Sequence, residues 1–213
     1  MSPTARMAGL QLIVGLGNPG AEYLRTRHNA GFRFVDTLAS VEDARFSYDH
    51  KLHGAVCRLN VGRAPVWVLR PATFMNKSGV AVVAALQYYK IEPANCLIVH
   101  DDLDLSPGTA RLKFDGGHGG DNGLRDIIAQ LGHGRFHRLR LGIGHPGDRD
   151  RVTDWVLGRP SAVDEQAITD AIMRALNVLP LVVDGQLDKA MQLLHTTGME
   201  NGGHGPPRGE SPA

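Results

Sequence analysis

Short apolar runs typical of buried strands alternate along this chain with amphipathic runs typical of helices, and this alternation constrains the fold more than any other feature. The strand-like runs are apolar at successive positions and lie at 11–16, 55–60, 66–69, 96–100 and 138–143. The helical runs are apolar on one face and lie at 31–39, 78–89, 121–131 and, with interruptions, 162–194. Strands that are apolar on both sides need helices above and below their sheet. We therefore predict an α/β fold, a single domain with a mixed, largely parallel central sheet and helices on both faces.

The chain divides into a folded body and two tails. Its 213 residues match one ordinary domain, and a chain of this length buries enough surface to fold without disulfides or metal. From residue 198 the sequence GMENGGHGPPRGESPA is rich in Gly and Pro and almost lacks apolar residues, so it cannot form a packed core. We predict a flexible tail at 1–8, the domain at 9–197 and a disordered tail at 198–213.

The sequence favours a cytoplasmic protein that does not enter a membrane. Its longest apolar runs fall far short of the ~20 residues that span a bilayer. The N-terminus, MSPTARMAG followed by LQLIVGLG, lacks the length and cleavage pattern of a secretory signal. Cys57 and Cys96 lie in strand-like runs where buried thiols are expected, and neither C-x-x-C nor zinc-ligand spacing occurs.

The net charge of +1 at pH 7 does not by itself indicate a nucleic-acid-binding protein. Arginines are nonetheless clustered at 25–33 and again at 135–140. Clusters of this kind steer anionic partners through their local field. An ordinary surface that uses Arg in place of Lys explains them equally well.

The segment GLGNPG at 15–20 follows a strand and matches the G-x-G-x-x-G pattern of dinucleotide-binding sites. That pattern works when a helix begins within it, so that the helix N-terminus holds pyrophosphate, and when an acidic residue follows about 20 positions on. Here the polar, turn-rich AEYLRTRHNAG follows, without helical periodicity before Gly31 and without the acidic strand end. We therefore favour a turn that presents Asn18.

Two further loops carry groups suited to proton transfer. His28 lies in TRHNAG, directly before a helix, and a histidine at the mouth of a sheet is a candidate general base. The alternatives for such a histidine are a helix cap or an exposed side chain. HDDLD at 100–104 closes a strand with three carboxylates, which suit either a metal ion or the orientation of a histidine.

Two more loops are suited to contact with a ligand. FMNKSG at 74–79 places Phe74 and Asn76 between a strand and a helix, where core packing and helix capping are the simpler explanations. GGHGGDNGL at 116–124 lets backbone approach a ligand closely at a helix start, or else forms a flexible lid. A G-x-S-x-G motif does not occur and neither cysteine lies in a loop, so the sequence offers no obvious agent for acyl-enzyme chemistry.

These segments occur together, in one order: GLGNPG, Tyr23, TRHNAG, FMNKSG, HDDLDLSPG, GGHGGDNGLRDI and FHRLRLGIGHPG. The set closely resembles the bacterial-type peptidyl-tRNA hydrolase family, from residue 10 to the early 190s. The resemblance implies a monomeric, cytoplasmic α/β enzyme that uses no cofactor and no metal. It also implies cleavage of the ester between a peptide and the 3′ ribose of tRNA, which frees tRNA from peptides that leave the ribosome prematurely.

The resemblance also implies roles for individual residues. His28 is expected to be the catalytic base, with Asp101 as the carboxylate that stabilises it, while Asn18 distinguishes peptidyl from aminoacyl esters. The residues expected to hold the tRNA 3′ end and the peptide are Tyr23, Phe74, Asn76 and Asn122. Our own assignment adds three candidate contacts to acceptor-stem phosphates, Lys113, Arg138 and Arg140. For Arg140 the alternative is an ion pair with a neighbouring acid.

One position departs from the family pattern. The family usually has a histidine before the asparagine of GG-x-N-G-L, where this chain has Asp121. An acid there changes hydrogen-bond polarity and charge beside the expected pocket, and a carboxylate that faces a phosphate weakens tRNA binding. Two rival functions stay open from the residues alone: a metal-dependent phosphoesterase built on HDDLD, His118 and Asp121, and a non-catalytic RNA-binding module that uses the same basic loops.

Overall fold

The computed structural model describes residues 9–196, so the tails predicted at 1–8 and 198–213 lie outside the described residues. Its seven strands form one sheet in the order β2-β3-β4-β1-β5-β7-β6. The strands are β1 (Leu12–Gly15), β2 (Ser47–Asp49), β3 (Gly54–Val61), β4 (Ala64–Pro71), β5 (Cys96–Asp102), β6 (Ala110–Phe114) and β7 (His137–Gly142). The four central strands β4, β1, β5 and β7 are parallel, and antiparallel pairs complete both edges. The predicted mixed α/β sheet is confirmed.

The helices follow the predicted periodicity closely, with one exception. They are α1 (Ala30–Val41), α2 (Ser78–Tyr89), α3 (Asn122–Leu131), α4 (Val152–Leu157), α5 (Ala162–Val183) and α6 (Leu187–Thr196). Helix α4 was not predicted. The interrupted run at 162–194 is two helices. They are separated at Gly185, whose φ of +76° is a left-handed conformation that glycine adopts without strain.

Helices cover both faces of the sheet, as predicted. Alternate residues of β1 enter different layers, because successive side chains of a strand point to opposite faces. Ile13 packs in the layer of α1, α5 and α6 with Phe34, whereas Leu12 and Val14 pack in the layer of α2 and α3 with Ile127. The two layers bury most of the side chains of the central strands.

Helix α5 is the one described helix long and apolar enough to span a membrane by length and composition. Its apolar side chains, among them Ile168, Ile172 and Leu179, are buried in the layer beneath the sheet. Its environment is that of a core helix in a globular domain.

Strands β3 and β4 form an antiparallel hairpin, and Gly62 has a φ of +71° in the turn between them. Strands β2 and β6 were not predicted, because both are short, polar edge strands.

The prediction that HDDLD forms a loop is wrong in its first half. Strand β5 continues through Asp102, because β7 pairs with it as far as Asp102 and Gly142. This extension fixes His100 to Asp102 in a rigid strand.

Candidate active site

An open cleft of about 740 Å³ lies where the carboxyl ends of the parallel strands meet. Ligand sites in α/β sheets form at this edge, because the loops that follow neighbouring strands converge there. All the site residues predicted from the sequence line the cleft except Tyr23: Asn18, His28, Phe74, Asn76, Asp101, Lys113, Asn122, Arg138 and Arg140.

His28 and Asp101 form a buried pair on one wall of the cleft. His28 lies in the 3-10 turn Arg27–Asn29 that leads into α1, and Asp101 lies in β5. The imidazole Nδ1 is 2.8 Å from Oδ1 and 3.0 Å from Oδ2 of the carboxylate. A carboxylate accepts hydrogen bonds only, so Nδ1 carries the proton and Nε2 is the ring nitrogen left for a substrate or water. The alternative of an exposed histidine is excluded by its burial, at 8% exposure.

The pKa of His28 reflects opposing effects. Burial alone lowers it, whereas the charge and hydrogen bond of Asp101 and the charge of Asp121 raise it, and the pKa rises from 6.5 to about 9. The carboxylates therefore favour the imidazolium form. His28 becomes the neutral base as the pH approaches this value.

Arg27 anchors the turn that carries His28. Its guanidinium lies 3.7 Å from the centre of the Trp155 ring. It also donates hydrogen bonds to the backbone carbonyls of Trp155, at 3.3 Å, and Arg159, at 2.9 Å. Arg27 is buried, so these contacts attach the turn that carries His28 to α4 and to the segment after it.

Asn29 follows His28 and ties the turn to the GLGNPG loop. It stands at the N-cap position of α1, but its side chain does not cap the helix. Instead, Oδ1 accepts from the backbone N–H of Asn18 at 2.8 Å and Nδ2 donates to the carbonyl of Asn18 at 3.0 Å. The side chain thus fixes the backbone of Asn18 rather than the helix start.

The Asn18 side chain has a defined orientation. Its Oδ1 accepts a hydrogen bond from the backbone N–H of Met75 at 2.9 Å. The two Nδ2 hydrogens are therefore the donors left for the cleft. Helix α1 begins only at Ala30, so GLGNPG is not followed by the helix that a dinucleotide-binding loop requires. The preferred interpretation, a turn that presents Asn18, agrees with this geometry.

The loop before α2 presents an aromatic ring and an amide to solvent. Phe74 is 55% exposed, so core packing does not explain it, and Met75 is the buried member of the apolar pair. Tyr23 meets Phe74 edge to face, with ring centres 6.4 Å apart. Asn76 is exposed in the 3-10 turn Met75–Lys77 and does not cap α2, which begins after Lys77.

The three basic residues assigned to phosphates have different environments. Arg138 is 3% exposed, and its guanidinium donates to the carbonyls of Gly116, Gly117 and Gly134. This geometry does not support a phosphate contact, because the donors already hold the glycine-rich loop. Arg140 pairs through Nε with Asp102 Oδ2 at 2.6 Å, the alternative foreseen for it. Lys113 is exposed on the cleft wall.

The start of α3 brings two more polar side chains to the cleft. Asp121 caps the helix, with Oδ1 accepting from the backbone N–H of Leu124 at 2.7 Å. Asn122 is exposed, and its Oδ1 accepts from Arg125 at 2.8 Å, which leaves its Nδ2 hydrogens as donors. The close approach of Asp121 to His28 and Asp101 was missed, because the sequence placed Asp121 against the substrate alone. One ligand atom from each of these three residues lies within 4.8 Å of the others.

The metal site expected of a phosphoesterase is not assembled from its predicted members. Asp102 is paired with Arg140, and His118 Nδ1 accepts from the backbone of Gly120. Within residues 9–196, the group with metal-ligand spacing is instead His28, Asp101 and Asp121. In this group the His28 ring nitrogen Nδ1 is already hydrogen-bonded to Asp101.

The fold and site define the class of protein: an α/β protein with a histidine–carboxylate pair in an open cleft at the carboxyl edge of its sheet. A family model described as peptidyl-tRNA hydrolase matches residues 12–202. The chain belongs to the peptidyl-tRNA hydrolase family.

Similar proteins cover nearly the same length. A peptidyl-tRNA hydrolase of Stenotrophomonas maltophilia is 62% identical over 190 residues, which are 89% of this chain and 99% of the relative. One of Xanthomonas oryzae pv. oryzae is 60% identical over 191 residues, which are 90% of this chain and 98% of the relative. The crystal structure of peptidyl-tRNA hydrolase from Acinetobacter baumannii is 47% identical, with a TM-score of 0.86, and the match covers 89% of this chain and 96% of that chain.

Proposed function

We propose that the protein hydrolyses the ester between a peptide and the 3′ ribose of tRNA, with His28 as general base and Asp101 as its positioning carboxylate. The observation that carries the proposal is the buried His28–Asp101 pair, which fixes Nδ1 as the protonated nitrogen and leaves Nε2 for water. Membership of the peptidyl-tRNA hydrolase family supports the choice of ester. The product is free tRNA, returned to use after premature release from the ribosome.

Hydrolysis then needs one proton taken and one given back. Neutral His28 removes a proton from water through Nε2 as the water oxygen forms a bond to the ester carbonyl carbon. The carbonyl π electrons move to its oxygen, and Asp101 stabilises the imidazolium. When the tetrahedral intermediate collapses, the bond to the 3′ oxygen breaks and that oxygen takes the proton from the imidazolium. The products are a peptide carboxylic acid and the 3′ hydroxyl.

Three amides are the candidate donors to the substrate. Those of Asn18 and Asn122 keep their Nδ2 hydrogens because Oδ1 is already used within the protein, and that of Asn76 is exposed. A donor aimed at the oxyanion contributes about 3 kcal/mol to the transition state. Asn18 is the most rigidly held of the three. We assign it to the peptide portion of the ester, where it separates peptidyl from aminoacyl substrates.

The tRNA 3′ end is assigned to the rim of the cleft. Phe74 and Tyr23 offer aromatic surface on which an unstacked terminal base can lie. Lys113 is an exposed cation on the same cleft and is assigned to a phosphate of the acceptor stem. We further propose that the enzyme acts as a monomer in the cytoplasm, where its substrate is released from the ribosome.

The test is turnover of a purified N-acetylated aminoacyl-tRNA, a simple peptidyl-tRNA, alongside the same aminoacyl-tRNA with a free amine. The expected result is hydrolysis of the acetylated substrate, and a loss of about 10²–10⁴-fold in kcat/KM in His28→Ala. The reaction is repeated in excess EDTA, where full activity is expected because a histidine base needs no ion. Loss of activity in EDTA would favour the metal-dependent alternative. Binding without turnover would favour an RNA-binding module.

A further inference from the structure

Asp121 is fixed close to the catalytic pair by its own helix. Its Oδ1 accepts from Leu124 at 2.7 Å, so the carboxylate stands at the N-terminus of α3 in one orientation. It is half-buried and lines the cleft. One carboxylate oxygen of Asp121 lies within 4.8 Å of ligand atoms of both His28 and Asp101, so its charge acts on each at short range.

The charged groups around Asp121 come from three elements. His28 faces it from the turn before α1, His100 and Asp101 from β5, and Arg138 from β7. Burial and the charge of Asp101 raise the pKa of Asp121, while the two histidines lower it. For His28 the neighbouring charges are the two carboxylates, both of which favour the imidazolium.

We propose that Asp121 is a second carboxylate partner of His28, a positioning residue that stabilises the imidazolium formed during hydrolysis and so sets the pH range of the reaction. This inference rests on the proposed function for its role in catalysis. Asp101 fixes the tautomer through Nδ1, whereas Asp121 acts by charge alone. A neutral side chain at this position would lack that negative charge. The carboxylate therefore places the reaction in a more alkaline range than a neutral side chain would.

The test is an NMR titration of the His28 ring in the free, full-length protein, which requires no turnover. Asp121→Asn removes the charge while its side-chain oxygen still caps α3. The His28 midpoint is expected to fall by about one pH unit, with the Nδ1–H tautomer unchanged. Asp121→Ser, a second capping residue, is expected to give the same shift. The matched control is Asp126→Asn, which removes one charge from the same helix outside the cleft lining and leaves the midpoint in place.

Activity supplies the second readout. In Asp121→Asn the rising limb of the kcat/KM–pH profile is expected to shift to lower pH by as much as the His28 midpoint. In Asp121→His the limb is expected to shift to lower pH at least as far. A folded Asp121→Asn protein with an unchanged His28 midpoint would overturn the inference. A changed KM with an unmoved limb would also overturn it, since Asp121 would then act on the substrate. A shifted midpoint in a protein with no turnover of peptidyl-tRNA would uphold the electrostatic pair and overturn the proposed function instead.

Discussion

Asn18 and Asn29 are joined by a reciprocal pair of hydrogen bonds, in which the side chain of Asn29 accepts from the Asn18 amide and donates to its carbonyl. This pair connects the loop after β1 to the turn that carries His28. The backbone atoms that present the Asn18 side chain are therefore fixed relative to the proposed base. The contact holds two parts of the cleft in register, although Asn29 itself does not line it.

Loss of the Asn29 amide is expected to destabilise the protein and displace Asn18. Asn29→Ala leaves a buried N–H and a buried carbonyl without partners, which costs about 1–3 kcal/mol for each unsatisfied group. Urea unfolding measures the loss. The control is Asn95→Ala, which removes an exposed side-chain bond to Gln11. An Asn29→Ala protein as stable as the parent would show that the bonds to Asn18 contribute little.

Folding stability is expected to depend on the ionisation of His28. The folded state raises its pKa from 6.5 to about 9, so the imidazolium contributes stability that is fully present below pH 6.5 and lost as pH rises through 9. At 1.36 kcal/mol per unit, the contribution is roughly 3 kcal/mol. The difference in unfolding free energy between parent and His28→Asn should shrink over this range. An unchanged difference would contradict the raised pKa. The exposed His53→Asn is the control for loss of a histidine.

Much of the fold and the position of the His28–Asp101 pair follow from the sequence. Apolar runs predict the central strands, and the carboxyl ends of parallel strands necessarily share one edge. The family resemblance then predicts that His28, Asp101 and Asn18 lie together at that edge, and the structure has all three in the cleft there. Helix α2 occupies the predicted range because its apolar run ends where Lys90 takes a left-handed conformation. Local pattern and tertiary packing agree in these elements.

The rest depends on contacts between distant segments. Strand β5 extends beyond its apolar run because β7 pairs with it there. This pairing between distant segments cannot be predicted from local hydrophobicity. Arg138 and Arg140 lie two residues apart on one strand, yet one holds loop carbonyls and the other holds Asp102. The partners of Arg138 lie in loops whose path the sequence does not specify, and the partner of Arg140 lies on the neighbouring strand β5. The approach of Asp121 to His28 likewise requires the position of α3 against β5.

Removing the Asp101 charge is expected to alter both the pH range and the maximal rate. In Asp101→Asn the imidazolium loses its hydrogen-bonded partner, so the rising limb of kcat/KM should move to lower pH. The plateau should also fall, because the ring loses the contact that fixes its tautomer. The kcat/KM–pH profile and the ring ¹⁵N shifts of His28 measure the two effects. A variant with the limb and the tautomer of the parent would remove Asp101 from its assigned role.

Lys113 and Arg140, two cations that line the cleft, are expected to differ in how their loss changes the salt dependence of KM. Lys113 is exposed and free to meet a phosphate, so Lys113→Ala should raise KM, leave kcat nearly unchanged and flatten the slope of log KM against log salt by about one charge. Arg140 is already paired with Asp102, so Arg140→Ala should leave that slope in place. It should instead lower the unfolding free energy by about 1–3 kcal/mol, because Oδ2 of the half-buried Asp102 carboxylate loses its charged donor.

Steady-state kinetics over a range of salt concentrations and urea unfolding of both variants make the comparison. Each variant controls for the other, since both remove one positive charge from the same cleft. If Arg140→Ala flattened the slope as Lys113→Ala does, Arg140 would leave Asp102 for the substrate, and its ion pair would be a resting contact of the free enzyme. If neither slope changed, the acceptor stem would lie away from this wall of the cleft, and the phosphate contacts would have to come from other basic residues.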